Sequence, residues 1–210
     1  MYRNDIFGRN FSFKLLILIL MLASLGACGG GGADPPAPPV TASTGVFVDS
    51  TVAGLHYETP TFSGTTNSAG EYDFLPGETV TFSIGGIVLG SAAAGPVVTP
   101  LTLVSGATDP TDPVVTNIVR FLLTLDDDGN PDNGISISAT TTAAAAGLSV
   151  DFTIADLTTD AGVITLLATL PSTPTLVDAT VAQTHFTEVL ATTWGVMSWG
   201  TGTWKAAAAP

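Results

Sequence analysis

A change of hydrophobic period restricts this chain more than any other feature. From residue 45 to about residue 98 apolar and polar residues alternate, as in Glu71-Tyr72-Asp73-Phe74 and Thr79-Val80-Thr81-Phe82-Ser83-Ile84. Alternation gives one buried and one wet face, the pattern of antiparallel strands. Turn residues punctuate it at Asn67-Ser68-Ala69-Gly70, Leu75-Pro76-Gly77 and Gly85-Gly86, so strands are expected near 46–50, 55–58, 61–66, 71–74, 79–84 and 87–91. Beyond Asp109 the spacing becomes helical. Thr111 or Asp112 can cap, Pro113 suits the first helical position, and Val114, Ile118, Phe121, Leu122 and Leu125 recur on one face. Val115, Val119 and Leu123 widen that stripe, so this helix should be largely buried. A second helix is expected from Asp160 to a stop at Pro171, and a third over about 178–192, with Ala179, Ala182, Phe186 and Val189 inward. Ala143 to Ala146 can form a short helical turn. The expected fold class is α+β: a small antiparallel sheet or sandwich over about 45–98, followed by about three helices over about 112–192.

The start of the chain has a different logic. Arg3, Arg9 and Lys14 are followed by an apolar run of eleven residues, 15–25, then by Gly26, Ala27 and Cys28, the only cysteine. A membrane-spanning helix needs about 20 apolar residues, so this run is too short to be one. It resembles a bacterial lipoprotein signal peptide with its lipobox. That resemblance implies cleavage after Leu25-Gly26-Ala27, a diacylglyceryl group on the Cys28 thiol and acylation of the new amino terminus. Several acyl chains together anchor stably where one alone holds weakly. The membrane partner is therefore the lipid on Cys28, and the expected location is the cell envelope. Gly29 stands where aspartate would signal inner-membrane retention, which by the same resemblance implies the outer membrane in a diderm cell.

The chain divides into five segments: a leader (1–27), a Gly/Pro-rich tether (28–44), a β-rich part (45–106), a helical part (107–193) and a Trp/Gly-rich tail (194–210). In the tether four glycines give flexibility and the later prolines extend the chain at about 3.1 Å per residue. Loss of the leader removes three of the 5 cations and one of the 18 acids, leaving a net charge of −15. Nucleic-acid binding begins with Lys and Arg on phosphates, so that class is set aside. With no cysteine after Cys28, the body must stand without internal disulfides.

A second resemblance lies in the β-rich part. The run Thr65-Thr66-Asn67-Ser68-Ala69-Gly70-Glu71-Tyr72-Asp73-Phe74-Leu75-Pro76-Gly77-Glu78 is similar to the hairpin of Cna-B-like and carboxypeptidase-regulatory-like β-sandwich modules, which implies a stalk or spacer. Val52-Ala53-Gly54-Leu55-x-Tyr57, Val80 to Gly85 with Leu89-Gly90, and Leu125-Asp126-x-Asp128-Gly129-x-Pro131-x-Asn133-Gly134-Ile135 resemble a domain recurrent in secreted bacterial lipoproteins.

The run from Asp126 to Gly134 is the sharpest chemical candidate. Calcium takes six to eight oxygens, and carboxylates on alternate residues of a tight loop can point inward. Asp126, Asp128 and Asn130 or Asp132 are the candidate ligands of a structural calcium ion. The EF-hand pattern is not met, because Pro131 occupies its glycine position and Ile137 its glutamate position. The other reading is a solvated acidic turn ending the helix, although carboxylates there oppose the macrodipole.

His56 and His185 lack metal-ligand spacing, and His185 reads as a packing residue on a helix. No Gly-x-Ser-x-Gly elbow and no phosphate-loop lysine occur, so neither an enzyme nor a required cofactor is expected. Arg120 is expected to pair with a carboxylate across the α/β junction. Trp194, Trp199 and Trp204 recur every five residues; they either stack on sugars at a glycan-binding tip or seal the core. The first functional expectation is a lipid-anchored, non-catalytic binding or spacer module, calcium-stabilised, with an envelope protein or glycan as partner. The second is a surface adhesin or glycan binder using the Trp-rich end. The third is an accessory or degenerate domain of a secreted hydrolase.

Overall fold

The computed structural model describes residues 41–193. Within them the chain is α+β, with three small sheets and five helices. The alternating region supplies β1 (Ser43–Phe47), β2 (Val52–Ala53), β3 (His56–Glu58), β4 (Ser63–Thr65), β5 (Glu71–Phe74), β6 (Thr79–Ile84), β7 (Ile87–Ala93) and β8 (Val97–Val98). Strands β4-β3-β6-β7 form one antiparallel sheet, in which Tyr57 faces Phe82 and Ser83 faces Val88. Alternation acts as expected: Val80, Phe82 and Ile84 are fully buried, whereas the intervening residues are partly or wholly exposed.

The expectation of antiparallel pairing needs amendment at two places. β1 lies between β5, which is antiparallel to it, and β8, which is parallel. β2 pairs in parallel with β9 (Ile135–Ser136), a strand contributed from within the helical part. Such short parallel pairings join segments far apart in sequence and leave no hairpin signal.

The helices are α1 (Pro100–Leu103), α2 (Pro113–Thr124), α3 (Ala139–Ala144), α4 (Ala161–Thr169) and α5 (Ala179–Thr193). Of the two capping residues considered, Asp112 caps α2. Its carboxylate accepts from the N–H groups of Val114 and Val115, with Pro113 at the first helical position. Asp160 caps α4 by accepting from Val163 N–H, and Asp178 accepts from Thr180 N–H ahead of α5. α2 is buried almost all round, with nine buried residues from Val115 to Thr124. One hydrophobic cluster unites sheets and helices, running from Phe47, Tyr72 and Phe82 to Ile118, Phe121, Leu122, Leu166 and Phe186. Phe82 meets Phe47 at 4.7 Å and Tyr72 edge-on at 5.2 Å between ring centroids. Burying one such ring contributes about 1.5–3 kcal/mol.

Candidate functional site

Among the described residues two carboxylates are withdrawn from water, and both lie where the strand region meets the helices. The first is Asp49. It follows β1 in a tight turn closed by a bridge between Val48 and Thr51, with Ser50 in the left-handed region at φ 55°. Val48 N–H donates to Val98 O, which holds the turn against the end of β8. Asp49 is 0% exposed. Its partner is His185 on α5, whose Nε2 lies 3.4 Å from Asp49 Oδ1. That distance is long for a hydrogen bond, and neither Asp49 oxygen nor His185 Nε2 has a hydrogen-bond partner. The contact is a carboxyl–imidazole pair in a poorly solvated place, and an ion pair only while His185 is protonated. Burial pushes the Asp49 carboxyl above its ordinary range, and His185 pulls only part of that back. Burial depresses His185, but Asp49, then Glu188 and Asp132, outweigh it and raise the imidazole above its ordinary value.

The second is Asp126, one residue beyond Leu125, the cap of α2. Its Oδ1 accepts from Ser136 N–H, and Asp127 N–H donates to Ser136 O, so the base of the acidic loop is pinned to β9. Asp126 is 9% exposed and its Oδ2 has no partner. Burial raises its carboxyl; the Ser136 N–H bond opposes that and neighbouring Asp128 adds to it. Asp128 is exposed. Its Oδ2 accepts from Asn133 Nδ2 and its Oδ1 from Asn130 N–H, which hold it below its ordinary range. Gly129, at φ 68°, makes the reversal between them.

Of the four candidate ligands, the fold therefore brings Asp126 and Asp128 together. Asn130 enters through its main-chain N–H, and Asp132 sits on a 3-10 turn (Pro131–Asn133) where its charge is felt at His185. Among the described residues no three His, Cys, Asp or Glu side chains converge as metal ligands would.

Arg120 does something other than pair with a carboxylate. Its Nε donates to Val177 O at 2.7 Å and its Nη1 to Asn117 Oδ1, while Asn117 Nδ2 donates to Phe152 O and Ile154 O. Thr124 closes the same network, donating to Arg120 O and accepting from Val177 N–H. This set fastens the segments before α4 and α5 onto α2, because their extended chain presents carbonyls that need donors. Glu71 and Asp73, on the wet face of β5, are exposed and bonded to Asn67 Nδ2 and Thr44 Oγ1. His56 is exposed on β3, away from any carboxylate ion pair. Cys28 with Leu25, Gly26 and Ala27, and the three tryptophans Trp194, Trp199 and Trp204, lie outside the described residues.

Sequence reasoning missed the Asp49–His185 pair, although one signal was present. Continuing the alternation of β1 past Phe47 puts residue 49 on the inward face, and an acid there demands a partner. His185 reads as a packing residue from its helix alone and gains a charge partner only through the fold. No protein-family model, curated protein or solved structure matches the chain.

Proposed function

We propose that this chain is a lipid-anchored protein of the cell envelope whose α+β body is a non-catalytic binding or spacer module. The observation that carries the reading is the position of the only cysteine, directly after Leu25-Gly26-Ala27 and an eleven-residue apolar run with a basic start. The chain beyond Cys28 is consistent in kind: a Gly/Pro tether, then a body that needs no disulfide and carries a large negative charge. Among the described residues no helix is long and apolar enough to cross a membrane, so in this reading the lipid alone holds the protein to the bilayer. The acidic surface keeps the body off anionic headgroups and in solution at the end of its tether.

The test is mass spectrometry of the amino-terminal peptide after expression in a diderm bacterium, combined with membrane fractionation. The expected result is a chain beginning at Cys28 with a diacylglyceryl thioether and an acylated amino group, released only by detergent. Cys28→Ser should leave the leader uncleaved and the thioether lipid absent. An intact leader with a free thiol in the wild-type chain would overturn the reading.

A further inference from the structure

The acidic loop after α2 holds a charge problem that the described protein does not solve internally. Asp126 is nine-tenths buried, its Oδ2 is without a partner, and its carboxyl lies against that of Asp128. Like charges so placed repel each other, and a desolvated carboxylate needs a counter-charge. The ordinary source would be Lys or Arg. In residues 41–193 Arg120 is the one such side chain, and its guanidinium is engaged by Val177 O and Asn117 Oδ1. His185, the histidine at the α5 packing face, is taken by Asp49. The loop also follows the C-terminal end of α2, where the helix's last carbonyls already lend negative potential. Among the described residues no uncommitted Lys or Arg remains to compensate it, which points to a positive charge from solution.

We propose that the loop from Asp126 to Gly134 binds one divalent cation of the calcium type, with Asp126 Oδ2 and Asp128 as its carboxylate ligands. The inference concerns the body alone and stands independently of the lipid anchor. Hard oxygen donors, a glycine-permitted reversal and an exposed rim suit calcium better than a metal that wants imidazole or thiolate. With two carboxylates, the remaining positions fall to carbonyl oxygens and water, so the affinity belongs to the millimolar extracellular class rather than the tight intracellular one. The alternative occupant is a proton shared between the two carboxyls. Because Ser136 N–H fixes Asp126 to β9, which pairs with β2, an ion here would tie the end of α2 to the strand region.

The experiment is thermal unfolding of the full-length protein in detergent, in EDTA, in calcium and in sodium chloride of matched ionic strength. Calcium at ten times its Kd should raise Tm by roughly 3–6 °C over EDTA, and sodium should not. Asp128→Asn should lose the calcium shift, read against that variant's own Tm in EDTA, since asparagine can keep only one of the two hydrogen bonds that Asp128 accepts. Asp126→Asn should also lose the shift and should melt no lower than wild type in EDTA, since it removes a buried uncompensated charge. No calcium shift in the wild type, an equal shift with sodium, or an undiminished shift in Asp128→Asn would each overturn the site. Stabilisation by acid from pH 7 to 5 without any calcium effect would assign the counter-charge to the shared proton instead.

Discussion

Asp49 and Asp126 present the same problem in two parts of one fold and receive different answers. Each is a carboxylate shielded from water beside a strand that enters the sheet region, and each has an oxygen with no hydrogen-bond donor. Asp49 lies wholly inside and faces His185 from a helix that begins 130 residues later in the chain. Asp126 lies at the rim, held by a single main-chain N–H and facing another carboxylate. The difference follows from depth. A fully enclosed charge must have its counter-charge inside the protein, whereas a charge at the rim can draw one from solution. Among the described residues the first need falls to histidine, because the sole Lys or Arg in residues 41–193 is committed to Val177 and Asn117.

Removing the internal counter-charge should have the largest effect. His185→Leu leaves Asp49 buried and unpaired, and such a loss typically costs about 3–5 kcal/mol. Urea unfolding should show that drop at neutral pH. The double variant Asp49→Leu/His185→Leu should recover most of it, since replacing both members of a buried pair with apolar groups is often neutral or stabilising. If the single and double variants unfold alike, packing around α5 rather than charge holds that helix, and the contrast with Asp126 fails.

The next effect tests whether the two carboxylates are mechanically joined. Gly134 has φ 103°, and a Cβ there would stand 2.8 Å from Thr51 Oγ1 and 3.1 Å from Thr51 O, in the turn that carries Asp49. Ile135 N–H donates to Thr51 O next to it. Gly134→Ala should therefore destabilise by about 1–3 kcal/mol, through backbone strain together with the clash. In calorimetry the variant should also lose calcium heat, because Gly134 ends the acidic loop. Loss of stability with unchanged calcium binding would show that the loop and the Asp49 turn act separately.

Much of the fold is legible in sequence, and the reasons differ by element. α2, α4 and α5 declare themselves through local signals: Asp112-Pro113 and Asp160 cap, Pro171 follows the second of these, and the apolar spacing is continuous. β5 and β6 do so by alternation between turns. β2, β8 and β9, two residues each, do not, since their partners lie far away in sequence and no turn fixes their register. The same divide applies to the chemistry. Asp126 and Asp128 are visible as a local acidic run. The pairing of Asp49 with His185, by contrast, exists only once α5 packs against the end of β1. Arg120 shows the limit from the other side: its charge suggests a carboxylate, but the nearest need was for donors to unpaired carbonyls.

The gentlest way to probe the comparison is pH. Asp49 and His185 both have folded-state pKa values above their ordinary ones. A group so raised contributes stability that is full below its unfolded value and is lost as pH rises through the folded one. For His185 that window opens at its ordinary value of 6.5 and extends upward, where deprotonation leaves Asp49 charged and alone. Glu188 on the same helix and Asp132 from the acidic loop support the proton from two further sides. Tm of the wild type in EDTA should therefore fall as pH rises above 6.5, and the double Leu variant should lack that fall. The acid limb has other owners. Asp109, Asp151 and Asp156 accept from Thr111, Thr153 and Thr158 two residues on, which holds them below their ordinary 3.8. Their contribution is present above that value and lost as pH falls through the lower folded one. These turns are exposed and each effect is small; Asp49, raised from 3.8, works in the opposite sense over the same range, so the double variant should lack its loss of stability as pH rises above that value. An alkaline fall that survives removal of both partners would move the titrating group elsewhere and leave Asp49 stabilised by something other than His185.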